Sequence, residues 1–394
     1  MGVQVPGGRG FDYSAGMRLA GGRVAVVLGL LMWHGAAVRA QDALVKPADA
    51  AKDDLSTAVV PADMCRAGMT AEDFPKANAH FPSYLEDDFS QLKAEAPALR
   101  GLKFEADPAT EPAKSKEVLD KTGEVIAAML LRIPNLLAKE QVLQAAVVLP
   151  YTASETTATS SGTAVGRRGG MSTPTYDTRT HAVEGEELQK VLDEKMSLGK
   201  HTVFGYRIQS AVDTTYGPML QEYRTDAQNS AVDVKTQNPG NPRGVGFSAT
   251  WMMFKPANLD EAKFRYLGHQ KVGKHDTVVV AFAQIPGEVP VPAEITLVGP
   301  TCSYLQQGIA WIDDEAAQIV RLQTDLLQPL PDIHVTKLYS SVTFSEVRIP
   351  EKNLTLWLPD DVEIRWVSRD QAGAERHKYS DYRLFGATSR IVLP

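Results

Sequence analysis

Residues 264–385 constrain this chain more than any other part of it. They are written as short β-type runs with few breakers inside them, joined mostly by short polar or Gly/Pro turns. The clearest pair is Gly308-Ile309-Ala310-Trp311-Ile312 and Gln318-Ile319-Val320-Arg321-Leu322, a β-hairpin whose turn opens with Asp313-Asp314-Glu315. From residue 246 onward the pattern predicts strands at 246–254, 264–270, 277–285, 303–312, 317–324, 336–347, 354–358, 362–367 and 376–385. A twisted sheet of that size tends to curl. The expected fold is therefore α+β: a curved antiparallel sheet forming an unclosed β-barrel, with a few covering helices.

Upstream, Val118, Ile126, Met129 and Leu130 recur at near-helical spacing and Arg132-Ile133-Pro134 stops the run, which predicts a helix over 115–131. A strand is expected in 136–151, where Ala145, Val147 and Leu149 alternate. The Ser/Thr/Gly stretch 152–171, carrying Arg167 and Arg168, reads as an exposed loop. A returning strand at 180–183, a helix over 184–195 and a strand at 202–208 follow, and Tyr216-Gly217-Pro218-Met219-Leu220 reads as the start of a short helix to Tyr223. The polar gap 226–243, with Gln237-Asn238-Pro239-Gly240-Asn241-Pro242, marks a boundary. The expected organisation is a signal peptide (1–40), an acidic, loosely ordered arm (41–114), a helix and strand segment completing the barrel (115–235) and a β-meander (236–394). Phe74, Phe81, Tyr84 and Phe89 give the arm an alternative, wrapping the domain.

Arg18 and Arg23 precede the apolar run Val24 to Trp33, and Val38-Arg39-Ala40 supplies a cleavage signal, so export with removal after Ala40 is expected. The apolar run is about half of the ~20 residues a spanning helix needs. No transmembrane segment is expected once it is cleaved, which makes the destination the periplasm or the exterior. Cleavage removes four arginines and one aspartate and takes the net charge from -7 to -10. An acidic chain is a poor partner for nucleic acid. Cys65 and Cys302 are the two cysteines; they either pair or stay free, and a disulfide-dense scaffold is excluded.

Gly308 to Asp313, Gln318 to Leu322 and the closing Tyr379-Ser380-Asp381-Tyr382-Arg383-Leu384-Phe385 together resemble the outer-membrane lipoprotein-sorting or carrier superfamily. There a strand ending W-I-D turns into one carrying I-V-R, and a late Y-x-D-Y-R strand closes the sheet. The resemblance covers about a third of the chain. It implies an unclosed antiparallel barrel, helices over its concave side, and a hydrophobic hollow that accepts an acyl chain, a lipid or a lipidated protein. Arg132-Ile133-Pro134-Asn135-Leu136 and Tyr216 to Leu220 are similar to secreted bacterial proteins that carry such a sheet near their C-terminus; no activity comes with that likeness.

Catalytic patterns fail on inspection. Gly268 to His275 nearly matches a phosphate-binding loop, but His275 stands where the magnesium-binding hydroxyl belongs and a strand follows instead of a helix, so a hairpin turn at Gly273-Lys274 is expected. Ser248 sits in half a nucleophile elbow, without the second glycine. His269 and His275 lack metal-ligand spacing and read as solvated surface residues. Adjacent acids such as Asp313-Asp314 and Asp360-Asp361 belong to turns facing water. The reading excludes metal and cofactor. Phe247 and Trp251 would share a face of one strand, Phe264 and Tyr266 a face of the next, and Trp311 a face with Ile309. In a curved, partly covered sheet these five would line an apolar ligand pocket; packing into a solid core is the plainer alternative. The expected function is a non-enzymatic exported protein that binds a hydrophobic ligand. An envelope scaffold or protein-interaction module with a solid core is the alternative, and a hydrolase using Ser248 the third.

Overall fold

In the computed structural model, which describes residues 83–105, 109–159, 175–213, 217–232, 244, 246–289, 292–295, 302–330 and 333–385, β-sheet dominates. The strands are β1 (Lys103–Phe104), β2 (Leu136–Val148), β3 (Thr152–Thr159), β4 (Thr175–Ala182), β5 (Thr202–Asp213), β6 (Gly217–Thr225), β7 (Ala262–Val272), β8 (His275–Gln284), β9 (Ala293–Ile295), β10 (Cys302–Tyr304), β11 (Gln306–Asp313), β12 (Ile319–Leu326), β13 (Lys337–Ile349), β14 (Leu354–Val367) and β15 (Gln371–Leu384). Eleven of them form one sheet in the order β1-β7-β8-β11-β12-β13-β14-β15-β2-β5-β6. Every neighbouring pair is antiparallel, and β1 and β6 remain its two ends, so the barrel is not closed. The expected α+β half-barrel is the observed one.

Three helices attach to this sheet: α1 (Phe89–Glu95), α2 (Glu111–Leu130) and α3 (Gly185–Leu198). Pro112 sits in the first turn of α2, where its missing N–H is harmless, and Leu119, Ile126, Met129 and Leu130 form its buried stripe. α2 touches β7 near one end of the sheet and β6 at the other, so it lies across the opening of the barrel. α3 sits on the opposite face: Leu188, Leu192 and Met196 pack on Ala145 and Val147 of β2 and on Ala372 and Ala374 of β15. Arg365 of β14 ties α3 down through Gln189 and Asp193, both at 2.6 Å.

The outer face of β7, β8, β11 and β12 is covered from residue 83 onward by the stretch expected to be a loose arm. Tyr84, Leu92 and Leu99 are buried, Phe89 stacks on Phe104 at 4.5 Å, and the Tyr84 hydroxyl donates to Asp325 at 2.6 Å. Gln270 donates to the Ala98 carbonyl at 2.7 Å and Arg265 to that of Asp87 at 2.8 Å. With cover on both sides, β11 is buried along its whole length. The expected signal sequence, Cys65, Phe74 and Phe81 lie outside the described residues. Cys302 is disulfide-bonded. No helix among the described residues is long and apolar enough to cross a membrane.

Several local expectations are corrected. Residues 247–254 form a 3₁₀ helix instead of a strand, opened by Gly246 at φ 93° in the left-handed region. A segment buried on all sides has no amphipathic period to read. Gly217 to Tyr223 is strand β6 instead of a helix; Pro218, opposite Val212, is tolerated because β6 is an edge. Part of the expected loop 152–171 is strand β3, paired with β4, where repeated Thr favours extended backbone. The two strands expected at 354–358 and 362–367 are one, β14, running through an irregularity in its pairing with β13. Gly273-Lys274 is the hairpin turn between β7 and β8.

Candidate functional site

The inside of the half-barrel is filled by the 3₁₀ segment Phe247–Phe254, which packs against α2, β6, β12 and β14. Its residues are all buried. Phe247 lies against the His377 and Tyr379 rings at centroid distances of 5.2 and 6.4 Å. Phe254, at the other end, meets Phe264 and Phe282, each at 5.7 Å. Phe247, Trp251 and Phe264 thus come together inside the barrel with Tyr266, which stands opposite Val280 on the inner face of β7. Trp311 does not join them. It stands opposite Val279, faces the other way, and donates from Nε1 to Gln270 at 3.0 Å beneath the N-terminal cover, with Arg321 over its ring at 5.0 Å.

One end of the segment rests on a cluster of ionisable groups that the sequence reading missed. Glu140 of β2, Tyr206 of β5, Glu222 and Arg224 of β6, and Glu375, His377 and Tyr379 of β15 alternate onto the inner face. All are buried, with Glu140, Arg224, Glu375 and His377 at 0% exposure. Glu140 accepts from Arg224 Nε and Nη2, the latter at 2.6 Å, from Tyr379 at 2.7 Å, and pairs with His377 Nδ1 at 2.9 Å. Arg224 also donates to the Gly244 carbonyl, and His377 Nε2 pairs with Glu375 at 3.2 Å. Gln144 donates to Glu375 at 3.0 Å.

Around this paired core lie buried polar atoms without a hydrogen-bond partner among the described residues: both Glu222 oxygens, Arg224 Nη1, Tyr206 OH, Ser248 Oγ and Trp251 Nε1. Each unmet buried polar group costs about 1–3 kcal/mol. Burial pushes the Glu222 carboxyl up to about 8; the Ser248 and Ala249 amides of the segment face it and counter burial in part, as does Arg224, without reaching hydrogen-bond geometry. Glu140 is the reverse case: burial raises it, but Arg224 and His377 outweigh burial and hold it at about 2. Burial lowers His377, and its bonds to Glu140 and Glu375 more than restore it, so its pKa is raised. Burial and the Glu140 charge keep Tyr379 protonated. Two carboxylates thus balance two cations, with Glu222 neutral beside them.

A cavity of about 210 Å³ opens under α2, lined by Lys114, Thr122, Tyr266, His269, Ile312 and Asp313 among others. Most of its charges are already engaged: Lys114 with Glu105 at 2.8 Å, Lys121 with Glu117 at 2.9 Å, and Asp313 with His275 at 2.7 Å. The expectation of solvated histidines is corrected for His275, which is half-buried against Trp357 at 5.2 Å; His269 is turned to Glu105 instead. No group of three metal-ligating side chains occurs among the described residues.

No family model and no curated protein matches the sequence. Among solved structures, the chain is similar to a DUF1329 family protein from Desulfovibrio piger, at 11% identity and a TM-score of 0.31, covering 70% of this chain and 95% of that one. It is also similar to a domain described as an outer membrane lipoprotein-sorting protein domain from Vibrio parahaemolyticus, at 9% identity and a TM-score of 0.30, covering 69% and 95%. At these scores the likeness is loose and gives no ground for a shared activity.

Proposed function

We propose that this is an exported, non-enzymatic protein whose half-barrel binds the acyl chain of a lipid or of a lipidated protein, and that Phe247–Phe254 is a plug occupying the same space when no ligand is present. The plug carries the proposal: a continuous non-strand segment, buried at every residue, packs between α2 and the inner side of the sheet. A 3₁₀ run of this length is unusual, because its hydrogen bonds are poorer than those of an α-helix. Phe247, Trp251, Phe264 and Tyr266 would then line the trough, with Trp311 supporting it from behind.

Energetics select the ligand. Burying Phe247, Trp251, Met252, Met253 and Phe254 contributes on the order of 10 kcal/mol, at about 1.5–3 kcal/mol per side chain. An acyl chain returns about 0.8 kcal/mol per methylene, so roughly a dozen methylenes are needed to offset the plug. A short apolar molecule would not displace it. The test is native mass spectrometry of mature protein purified from membranes, together with titration of a fluorescent long-chain fatty acid. Co-purifying lipid supports the reading; protein that is consistently ligand-free and ignores the probe abandons it. The completeness of the filling favours a second reading, an envelope scaffold with a solid core, and that negative result would select it.

A further inference from the structure

We infer that the plug imitates its ligand from end to end, so that the buried cluster of Glu222, Arg224 and Tyr206 is a subsite for the uncharged, hydroxyl-bearing head of an amphiphile whose tail lies where Trp251 to Phe254 now sit. This rests on the reading of the half-barrel as an acyl-chain site. The plug is chemically divided in the way such a ligand is. Its first turn presents the Ser248 and Ala249 amides beside Glu222, and its remainder is Trp251-Met252-Met253-Phe254. At about 2 Å per residue the eight positions span roughly 16 Å, the room available to head and tail together.

The unmet atoms specify the head. Glu140 and Glu375 already hold Arg224 and His377. What stays open among the described residues is a mixture of donors and acceptors: Arg224 Nη1, Tyr206 OH and the Glu222 carboxyl. Buried polar groups are normally satisfied, and several unmet ones on one inner face need an explanation that stability does not provide. Hydroxyls, which both donate and accept, satisfy all of them. An anionic head meets the Glu140 and Glu375 carboxylates, which already pair with Arg224 and His377, and is disfavoured. The carboxyl pKa of Glu222, raised by burial to about 8, keeps it an uncharged donor at neutral pH.

The experiment compares monomyristoylglycerol with myristate, which share a tail, by calorimetric titration of the full mature protein at neutral pH. The glyceride should bind about tenfold more tightly, the worth of roughly one hydrogen bond. Glu222→Leu should fold normally, since it removes a buried carboxyl that has no partner, and should weaken the glyceride by about tenfold while leaving myristate unchanged or improved. Equal affinities, or an equal loss of both in Glu222→Leu, would overturn the head subsite and leave the acyl-chain reading standing. Failure of both ligands to bind would end both.

Discussion

Glu140→Gln should be among the most destabilising single changes in the sheet. Four donors converge on that carboxylate, from Arg224 Nε and Nη2, His377 and Tyr379, and a neutral amide neither balances the two cations nor accepts all four. Removing one partner of a buried ion pair costs about 3–5 kcal/mol, because the other charge is left uncompensated. The titration of Glu140 gives an independent figure: a carboxyl held at about 2 instead of 4.5 corresponds to about 3 kcal/mol of stabilisation. Its pKa is depressed, so that stabilisation is complete above 4.5 and lost as pH falls toward 2, and the variant should lose this part of the acid sensitivity. The assay is urea unfolding followed by tryptophan fluorescence. With a slope of about 3 kcal/mol per molar urea, the midpoint should fall by roughly 1 M. Glu140→Gln combined with Arg224→Met should be no worse than the single change. A loss below about 1 kcal/mol, or a double variant whose losses add, would refute the argument.

Glu222 predicts the opposite pH response, since its folded pKa is raised: its stabilisation is full below 4.5 and disappears as pH rises through about 8. Glu222→Leu should flatten the alkaline side of the stability profile and gain about 5 kcal/mol at alkaline pH, and a wild-type profile level across that range would contradict it. Gly308→Ala should cost about 1–3 kcal/mol or more in thermal unfolding, because an added Cβ collides with the Gln323 carbonyl and the Phe282 ring; an unchanged Tm would show that β11 and β12 can separate. Tyr84→Phe removes the donor to Asp325 and should loosen the N-terminal cover, read as faster amide exchange in α1 and a loss of about 1.5–3 kcal/mol; unaltered exchange would mean the cover is held elsewhere.

The hairpins were legible because their turn chemistry is local: Gly273-Lys274 and Asp313 to Ala317 announce themselves, and the flanking runs are rich in β-branched and aromatic residues. The plug was not, since Phe-Ser-Ala-Thr-Trp-Met-Met-Phe fits any buried conformation and tertiary burial decided it. The ionisable cluster was missed for a different reason. Glu375, His377 and Tyr379 alternate with Arg376, Lys378 and Ser380, so β15 is polar on both faces, yet it lies within an eleven-stranded sheet. One of those faces had to be buried, and that conflict was the available signal. The docking of residues 83–105 rested on Tyr84 and Asp87, whose partners Asp325 and Arg265 lie more than a hundred residues away and leave no mark in local sequence.

The position of α2 sets how the barrel changes width. One helix touches strands near both ends of an open sheet, and Gly123 brings it so near the plug that an added Cβ would lie 3.0 Å from the Phe254 carbonyl. It behaves like the clasp of a bracelet: the band flexes by its own twist, but its girth is fixed where the clasp is fastened. A change of girth then calls for slippage at one contact and no rearrangement of strand pairing, leaving the hydrogen-bonded register intact.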